Sequence, residues 1–186
     1  DTIREINADD SIHGCLMFRP LPDKKVEAEA CALLDPAKDA DSMTTTSLAG
    51  VFACTDQGYP PCSAEAVMEI LDHYQIPLEG KRVAVIGRIL VIGKPVSIML
   101  QKKNATVTMC HTRTRDLASV CREADILVVA IGRAKTVTSD YVRPGQIVID
   151  VGINWDDEAN KLVGDVDFEA VAPVVEAITP VPGGVG

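Results

Sequence analysis

The sequence predicts an α/β fold: a Rossmann-like, doubly wound parallel sheet plus part of a second α/β lobe. Three observations carry this. Near-continuous apolar runs fall at 82–86, 105–109, 125–131 and 146–151. The segments between them, 93–103, 115–123 and 138–143, have helical or helix-compatible patterning. The first run stops at Gly87, and Gly93 opens the next helix. Apolar strands that alternate with helices pack as a parallel sheet covered on both faces.

Taken in order, residues 1–13 read as the end of a helix with Ile3 and Ile6 on one side, followed by a turn at Asn7–Ser11. "IHGCLMF", residues 12–18, suits a short buried strand. "RPLPDKK" has two prolines, which exclude a helix interior and make an extended corner. Val26, Ala30, Leu33 and Leu34 recur at helical spacing and predict a helix over 24–34. Residues 42–63 are Thr-rich, then rich in Gly and Pro, and carry little regular signal. Ser63 is expected to N-cap a helix that runs to about Tyr74. "IPLEG", residues 76–80, marks the boundary between an irregular first lobe and a regular second one. "NWDDEANKLVGDVDF" reads as a polar turn and a short return strand.

Bulk composition narrows the function. The 186 residues are 47% apolar, enough for a substantial core. Lys plus Arg is 18 against 27 Asp plus Glu, a net charge of -9, which argues against nucleic acid because a phosphate backbone needs a basic face. No apolar stretch reaches membrane-spanning length. Cys15, Cys31, Cys54, Cys62, Cys110 and Cys121 form no C-x-x-C pair and fit no zinc spacing, so no metal site is expected. Reduced thiols in a cytoplasmic protein are the simplest reading.

The turn after the first strand is "VAVIGRILVIGKP", with glycines spaced G-x5-G rather than G-x-G-x-x-G. Free N–H groups and a helix dipole there attract phosphate; read without context, the pair is only a tight strand-helix connection. The end of the second strand tips the balance. An NAD site usually places a carboxylate there for the ribose hydroxyls. This chain has Cys110-His111-Thr112-Arg113-Thr114-Arg115, a hydroxyl and two arginines, and Arg88 sits on the first turn. Cations without a carboxylate suit a 2′-phosphate, so the cofactor expected is NADP rather than NAD. His111 is expected to bond locally rather than act as a base.

"GRILVIGKP", "NATVTMCHTRT", "ADILVVAIGRAK", "GQIVIDVGIN", "KLVGDVDF" and "ITPVPGGVG" resemble the methylenetetrahydrofolate dehydrogenase/cyclohydrolase family. The likeness begins at "IHGCLMFRPLP" and continues through "PAKDADSM" and "PPCSAEAVMEIL". It implies a folate-binding lobe and an NAD(P)-binding lobe. It implies oxidation of 5,10-methylenetetrahydrofolate to the methenyl cation by hydride transfer, a step that needs positioning more than a strong base. It also implies a homodimer, and in many members a second, cyclohydrolase step. On this likeness residues 1–78 are part of the folate lobe, 79–176 the nucleotide lobe, and 177–186 a return segment to the folate lobe. Asp41, locally just a turn carboxylate, matches the aspartate that grips the pterin, whose N–H edge suits a charge-assisted acceptor. Met17, Phe18 and Arg19 match the substrate-contacting stretch. Pro180, Val181, Pro182, Gly183 and Gly184 match a loop that packs on the folate. Gly87, Arg88, Ile89, Thr112 and Ile153 match the nucleotide contacts.

The chain departs from the pattern in three places. Ile89 stands where the family commonly has Ser, and Phe18 where it has a Gln that supports the water-adding step; Arg19 replaces an apolar residue. The family's Y-x-x-x-K segment and the helix expected after "GGVG" are absent, so the chain is expected to be a fragment, and not by itself a cyclohydrolase. Two other readings use the same residues. One is a nucleotide-binding module that kept the scaffold and lost catalysis; the other is an unrelated Rossmann dehydrogenase that binds no folate.

Overall fold

The computed structural model describes residues 1–186 and separates into two compact units, Asp1–Cys62 and Ser63–Gly186. The division falls at Cys62 and not at residue 78. The reason is helix α4 (Cys62–His73), which turns Ala64, Val67, Met68 and Leu71 into the core under the sheet of the second unit.

In the first unit lie α1 (Thr2–Ala8), α2 (Lys24–Leu33) and α3 (Thr45–Ala53). Asp23 caps α2 by accepting the Lys25 N–H at 2.8 Å. Asn7 ties α1 to the end of α2: its amide donates to the Leu33 carbonyl at 2.6 Å and accepts the Asp35 N–H at 2.9 Å. The Lys38 ammonium closes α1 by donating to the carbonyls of Ile6, Asn7 and Asp9 at 2.6, 3.1 and 2.7 Å. These carbonyls lie at the negative end of the helix dipole, which a cation suits best.

Two expectations for this unit fail. Residues 12–18 do not form a strand; only Cys15 bridges, in parallel with Asp39. The run has the composition of a strand but no partner beyond that one position, and Leu16 and Phe18 are exposed. The stretch 42–63, read as irregular, contains α3. Ser, Thr and Gly weaken its helical signal, but the Thr44 hydroxyl accepts the Ser47 N–H at 3.0 Å and starts the helix.

The second unit holds a parallel sheet of β1 (Arg82–Ile86), β2 (Thr106–Cys110), β3 (Ile126–Val129), β4 (Ile147–Asp150) and β7 (Ala177–Ile178), in spatial order β2-β1-β3-β4-β7. Alternate residues serve opposite faces. Val83, Val85, Ile126, Val128 and Ile149 pack with α4 and with Val96 and Leu100 of α5 (Gly93–Lys102). Ala84, Ile86, Leu127, Val129 and Val148 pack with Cys121 of α6 (Leu117–Glu123) and Val171 of α7 (Phe168–Val171). Each such Val or Leu contributes about 1.5–3 kcal/mol by full burial.

The first four strands lie on the apolar runs: β1 coincides with its run, β2 is displaced by one residue, and β3 and β4 are trimmed by one or two residues at their ends. Helix α4 begins at Cys62, one residue before the expected cap at Ser63. The polar turn 157–160 joins an antiparallel hairpin, β5 (Asn154–Asp156) and β6 (Lys161–Val163), which lies outside the main sheet. Residues 177 and 178, expected to begin a return to the substrate lobe, instead pair with Ile147 and Val148 as the sheet's edge strand.

Candidate functional site

Chain order and space diverge at β1. Its neighbours are β2 on one side and β3 on the other, so the chain reverses direction across the sheet there. In open α/β sheets this is where ligands bind, beyond the carboxyl ends of the strands. The loops at that edge are 87–92, 111–116, 130–137 and 151–153.

Gly87 and Gly93 are both required by close packing. Gly87 has φ +127°, and a Cβ there would strike the Ala130 carbonyl oxygen; a Cβ on Gly93 would strike the Gly87 carbonyl. The G-x5-G spacing therefore folds the turn back until its two glycines touch. The N–H of Gly87 donates to the Cys110 carbonyl at 3.0 Å, which sets the Arg88 turn beside the turn that follows β2. That second turn is closed locally. His111 accepts the Arg113 N–H on Nδ1 at 3.1 Å, and its own N–H goes to the Thr114 hydroxyl at 2.9 Å. Thr112, Arg113 and Arg115 are exposed, as is Arg88. The nearest carboxylate in sequence, Asp116, caps α6 by accepting the Ser119 N–H at 3.3 Å. The edge is thus cationic, with close backbone approach at the turn; both features fit a phosphorylated dinucleotide. Ile89, Leu90 and Val91 are exposed rather than folded under the loop.

On the β3–β4 side two buried carboxylates organise the loops. Asp165 accepts the N–H groups of Ile131, Gly132 and Arg133 at 2.6, 2.8 and 2.9 Å and the Asn154 amide at 2.9 Å. Asp150, at the end of β4, accepts from the N–H groups of Gly152, Asp165 and Val166 at 3.0, 3.1 and 2.9 Å. Burial pushes the Asp150 carboxyl up to about 6, the neighbouring Asp165 charge adding to it, against the pull of those three N–H groups. Ile153, expected at the cofactor, is 60% exposed and sits between Gly152 and Asn154, which these two acids hold. Neither acid stands out in the sequence except by lying within a family motif, Asp150 in "GQIVIDVGIN" and Asp165 in "KLVGDVDF".

Thr179 fastens the Pro180–Gly184 loop to β4. Its N–H donates to the Val148 carbonyl at 3.1 Å, and its hydroxyl accepts the Asp150 N–H at 2.8 Å. The loop walls a groove of about 530 Å³ together with Ile147, Ile149 and Ile178.

In the first unit one bridge sets the two segments that carry the expected substrate residues side by side. Cys15 and Asp39 pair in parallel, with the Cys15 N–H on the Lys38 carbonyl at 2.6 Å. Two residues further along each segment lie Met17 and Asp41. Asp39 is fully buried and accepts the N–H groups of Met43 and Thr44 at 2.8 and 2.7 Å and the Ser47 hydroxyl at 2.7 Å. Burial alone would raise its carboxyl, but those donors outweigh it and hold the group below the usual carboxylate value. Asp41 is half-buried, and its Oδ1 accepts the Cys62 N–H at 3.0 Å. One of its oxygens is thus anchored to the start of α4. Phe18 is 85% exposed. Arg19 is held by Glu27 at 3.7 Å, while Glu27 also accepts the Leu21 N–H at 2.7 Å.

All six cysteines are free thiols, and no group of three or more His, Cys, Asp or Glu side chains gathers as a metal site. No helix is long and apolar enough to cross a membrane.

Residues 61–186 match the model of the tetrahydrofolate dehydrogenase/cyclohydrolase NAD(P)-binding domain. The chain is 59% identical over 185 residues to the bifunctional protein FolD of Carboxydothermus hydrogenoformans, covering 99% of this chain and 64% of that protein. It therefore spans less than two thirds of that relative's length. Among solved structures it is similar to the FolD methylenetetrahydrofolate dehydrogenase/cyclohydrolase of Campylobacter jejuni, with a TM-score of 0.92 and 41% identity over 100% of this chain and 65% of that one. It is also similar to the FolD of Trypanosoma brucei, solved in complex with NADP and an inhibitor. There the TM-score is 0.89 and identity 34%, over 99% of this chain and 65% of that one.

Proposed function

This chain belongs to the tetrahydrofolate dehydrogenase/cyclohydrolase family, and from that premise we propose that its protein oxidises 5,10-methylenetetrahydrofolate with NADP. The observation that carries the cofactor half is the β1–β2 edge. Arg88 and Thr112 follow neighbouring strand ends, Arg113 and Arg115 stand exposed beside them, and the nearest acid is spent on capping α6. A 2′-phosphate is bound there by charge-assisted bonds, for which a guanidinium is well suited. When bound, the nicotinamide accepts the hydride released from the methylene carbon. Gly87 and Gly93 give the pyrophosphate close access to backbone, and Ile153 lies on the nicotinamide side.

Asp41 carries the substrate half. With Oδ1 fixed by the Cys62 N–H, its remaining oxygen accepts from the pterin edge and orients the ring. Met17, Phe18 and Arg19, and the Pro180–Gly184 loop, form the other substrate contacts in this reading. The methenyl cation is stabilised by its own two nitrogens, so these residues supply orientation, the larger part of such catalysis. Water addition to the methenyl group is a second activity of the family; Phe18 in place of Gln weakens it here. We further propose a homodimer on family likeness, and a cytoplasmic setting, which the six free thiols suit.

The test is turnover of the full-length protein with methylenetetrahydrofolate and either NADP or NAD. NADP-dependent formation of the methenyl product is expected, with NAD much poorer. NADP binding without folate-dependent turnover would favour the catalytically degenerate module instead.

A further inference from the structure

We infer that Asp165 is a positioning residue for the nicotinamide half of the bound cofactor, acting through the backbone of Ile131–Arg133 and through Asn154. The inference rests on the NADP reading above and extends it to a residue that touches no substrate.

Three consecutive N–H groups pointing at one spot form a concave anion site. After β3 that site is built from Ile131, Gly132 and Arg133, and the Asp165 carboxylate fills it at 2.6–2.9 Å. The same carboxylate accepts from Asn154, next to Ile153, at 2.9 Å. One buried group thus sets the loop after β3 and the loop after β4 relative to each other. Close packing leaves it no slack: Asp165 is fully buried, and a Cβ on Gly152 would run into its carboxylate. Its own backbone N–H is held by Asp150 at 3.1 Å.

The placement makes the role one-sided. In the order β2-β1-β3-β4 the 2′-phosphate end lies over β1 and β2, with Arg88 and Thr112. A dinucleotide laid across the reversal at β1 puts its other half over β3 and β4, where Asp165 fixes both loops. No bond of Asp165 reaches the 87–92 or 111–116 turns. Asp165→Asn keeps the shape but turns an N–H donor toward N–H donors, which loosens those loops and leaves the adenosine side alone.

The experiment is calorimetric titration of the full-length protein with NADP and with adenosine 2′,5′-bisphosphate, which carries only the adenosine-side contacts. Asp165→Asn should weaken NADP at least fivefold and change the bisphosphate by less than twofold. Amide exchange at Ile131, Gly132 and Arg133 should accelerate in the ligand-free protein. A smaller NADP loss, or a parallel loss of both ligands, would overturn the inference; the parallel loss would mark Asp165 as merely structural. Should Asp165→Asn not fold, Asn154→Ala removes one of the four donors. It should weaken NADP at least twofold with the bisphosphate unchanged, and unchanged NADP binding would again overturn the inference. Wild-type protein that binds neither ligand would defeat the NADP reading and this inference together. Wild-type binding with an indifferent Asp165→Asn defeats only the inference.

Discussion

The Asp165 N–H donates to the Asp150 carboxylate at 3.1 Å, and each acid lies against a glycine of the other's segment: a Cβ on Gly164 would strike Asp150, and one on Gly152 would strike Asp165. The two are buried side by side and paired with N–H groups rather than a cation. Such an arrangement is held by geometry at an electrostatic cost, and that cost depends on pH.

Burial raises Asp150 to about 6 from an ordinary 3.8. The folded chain therefore holds a proton that the unfolded chain releases between those values. The stabilising contribution is complete below about pH 4 and is lost as pH rises through 6. Asp39 has the opposite sign, because its carboxyl is held low; its contribution is present above 3.8 and lost only in stronger acid. Between pH 5 and 7 Asp150 alone of the two titrates. Unfolding by denaturant should show about 1 kcal/mol more stability at pH 5 than at pH 7 from this group. That increment should vanish in Asp150→Asn; if it persists, Asp150 titrates normally.

Gly87→Ala should destabilise by about 3 kcal/mol or more, since the new methyl meets a backbone carbonyl that cannot step aside and φ is +127°. A melting temperature close to that of the parent would show that the turn can relax.

Arg88→Ala should weaken NADP by about 1.5–3 kcal/mol, the range for a charge-assisted hydrogen bond, and leave NAD nearly untouched. Arg88 is exposed, so stability should hold within about 0.5 kcal/mol. Equal losses for both cofactors would remove Arg88 from the 2′-phosphate.

Ile89→Ser separates packing from binding. Ile89 is 52% exposed, so little apolar contact is lost. A serine hydroxyl in that place should tighten NADP by about 0.5–1.5 kcal/mol with an unchanged melting temperature. A drop in melting temperature without tighter binding would show that the isoleucine is structural.

Asp41→Ala should abolish or severely depress methylenetetrahydrofolate oxidation by the full-length protein. Loss of its bond to the Cys62 N–H should cost about 1 kcal/mol of stability, so the variant folds. Parental turnover in a folded Asp41→Ala protein would misplace the folate site.

The sequence by itself determined the sheet. Runs such as Val83–Ile86 and Ile126–Val129 are short and apolar at every position, the pattern of a strand covered on both faces. It also determined the glycine turn and the absence of a free acid after β2, which are local properties of the chain. Tertiary structure decided the rest. Residues 12–18 have strand composition but no strand to pair with beyond Cys15, and α3 has weak propensity but a cap at Thr44. Asp39, Asp150 and Asp165 are three acids among 27 acidic residues, with nothing local to separate them from surface carboxylates. What distinguishes Asp165 is a set of donors 32 to 34 residues away in sequence, at Ile131, Gly132 and Arg133. A carboxylate can be buried only where such donors already converge, and only folding brings them together.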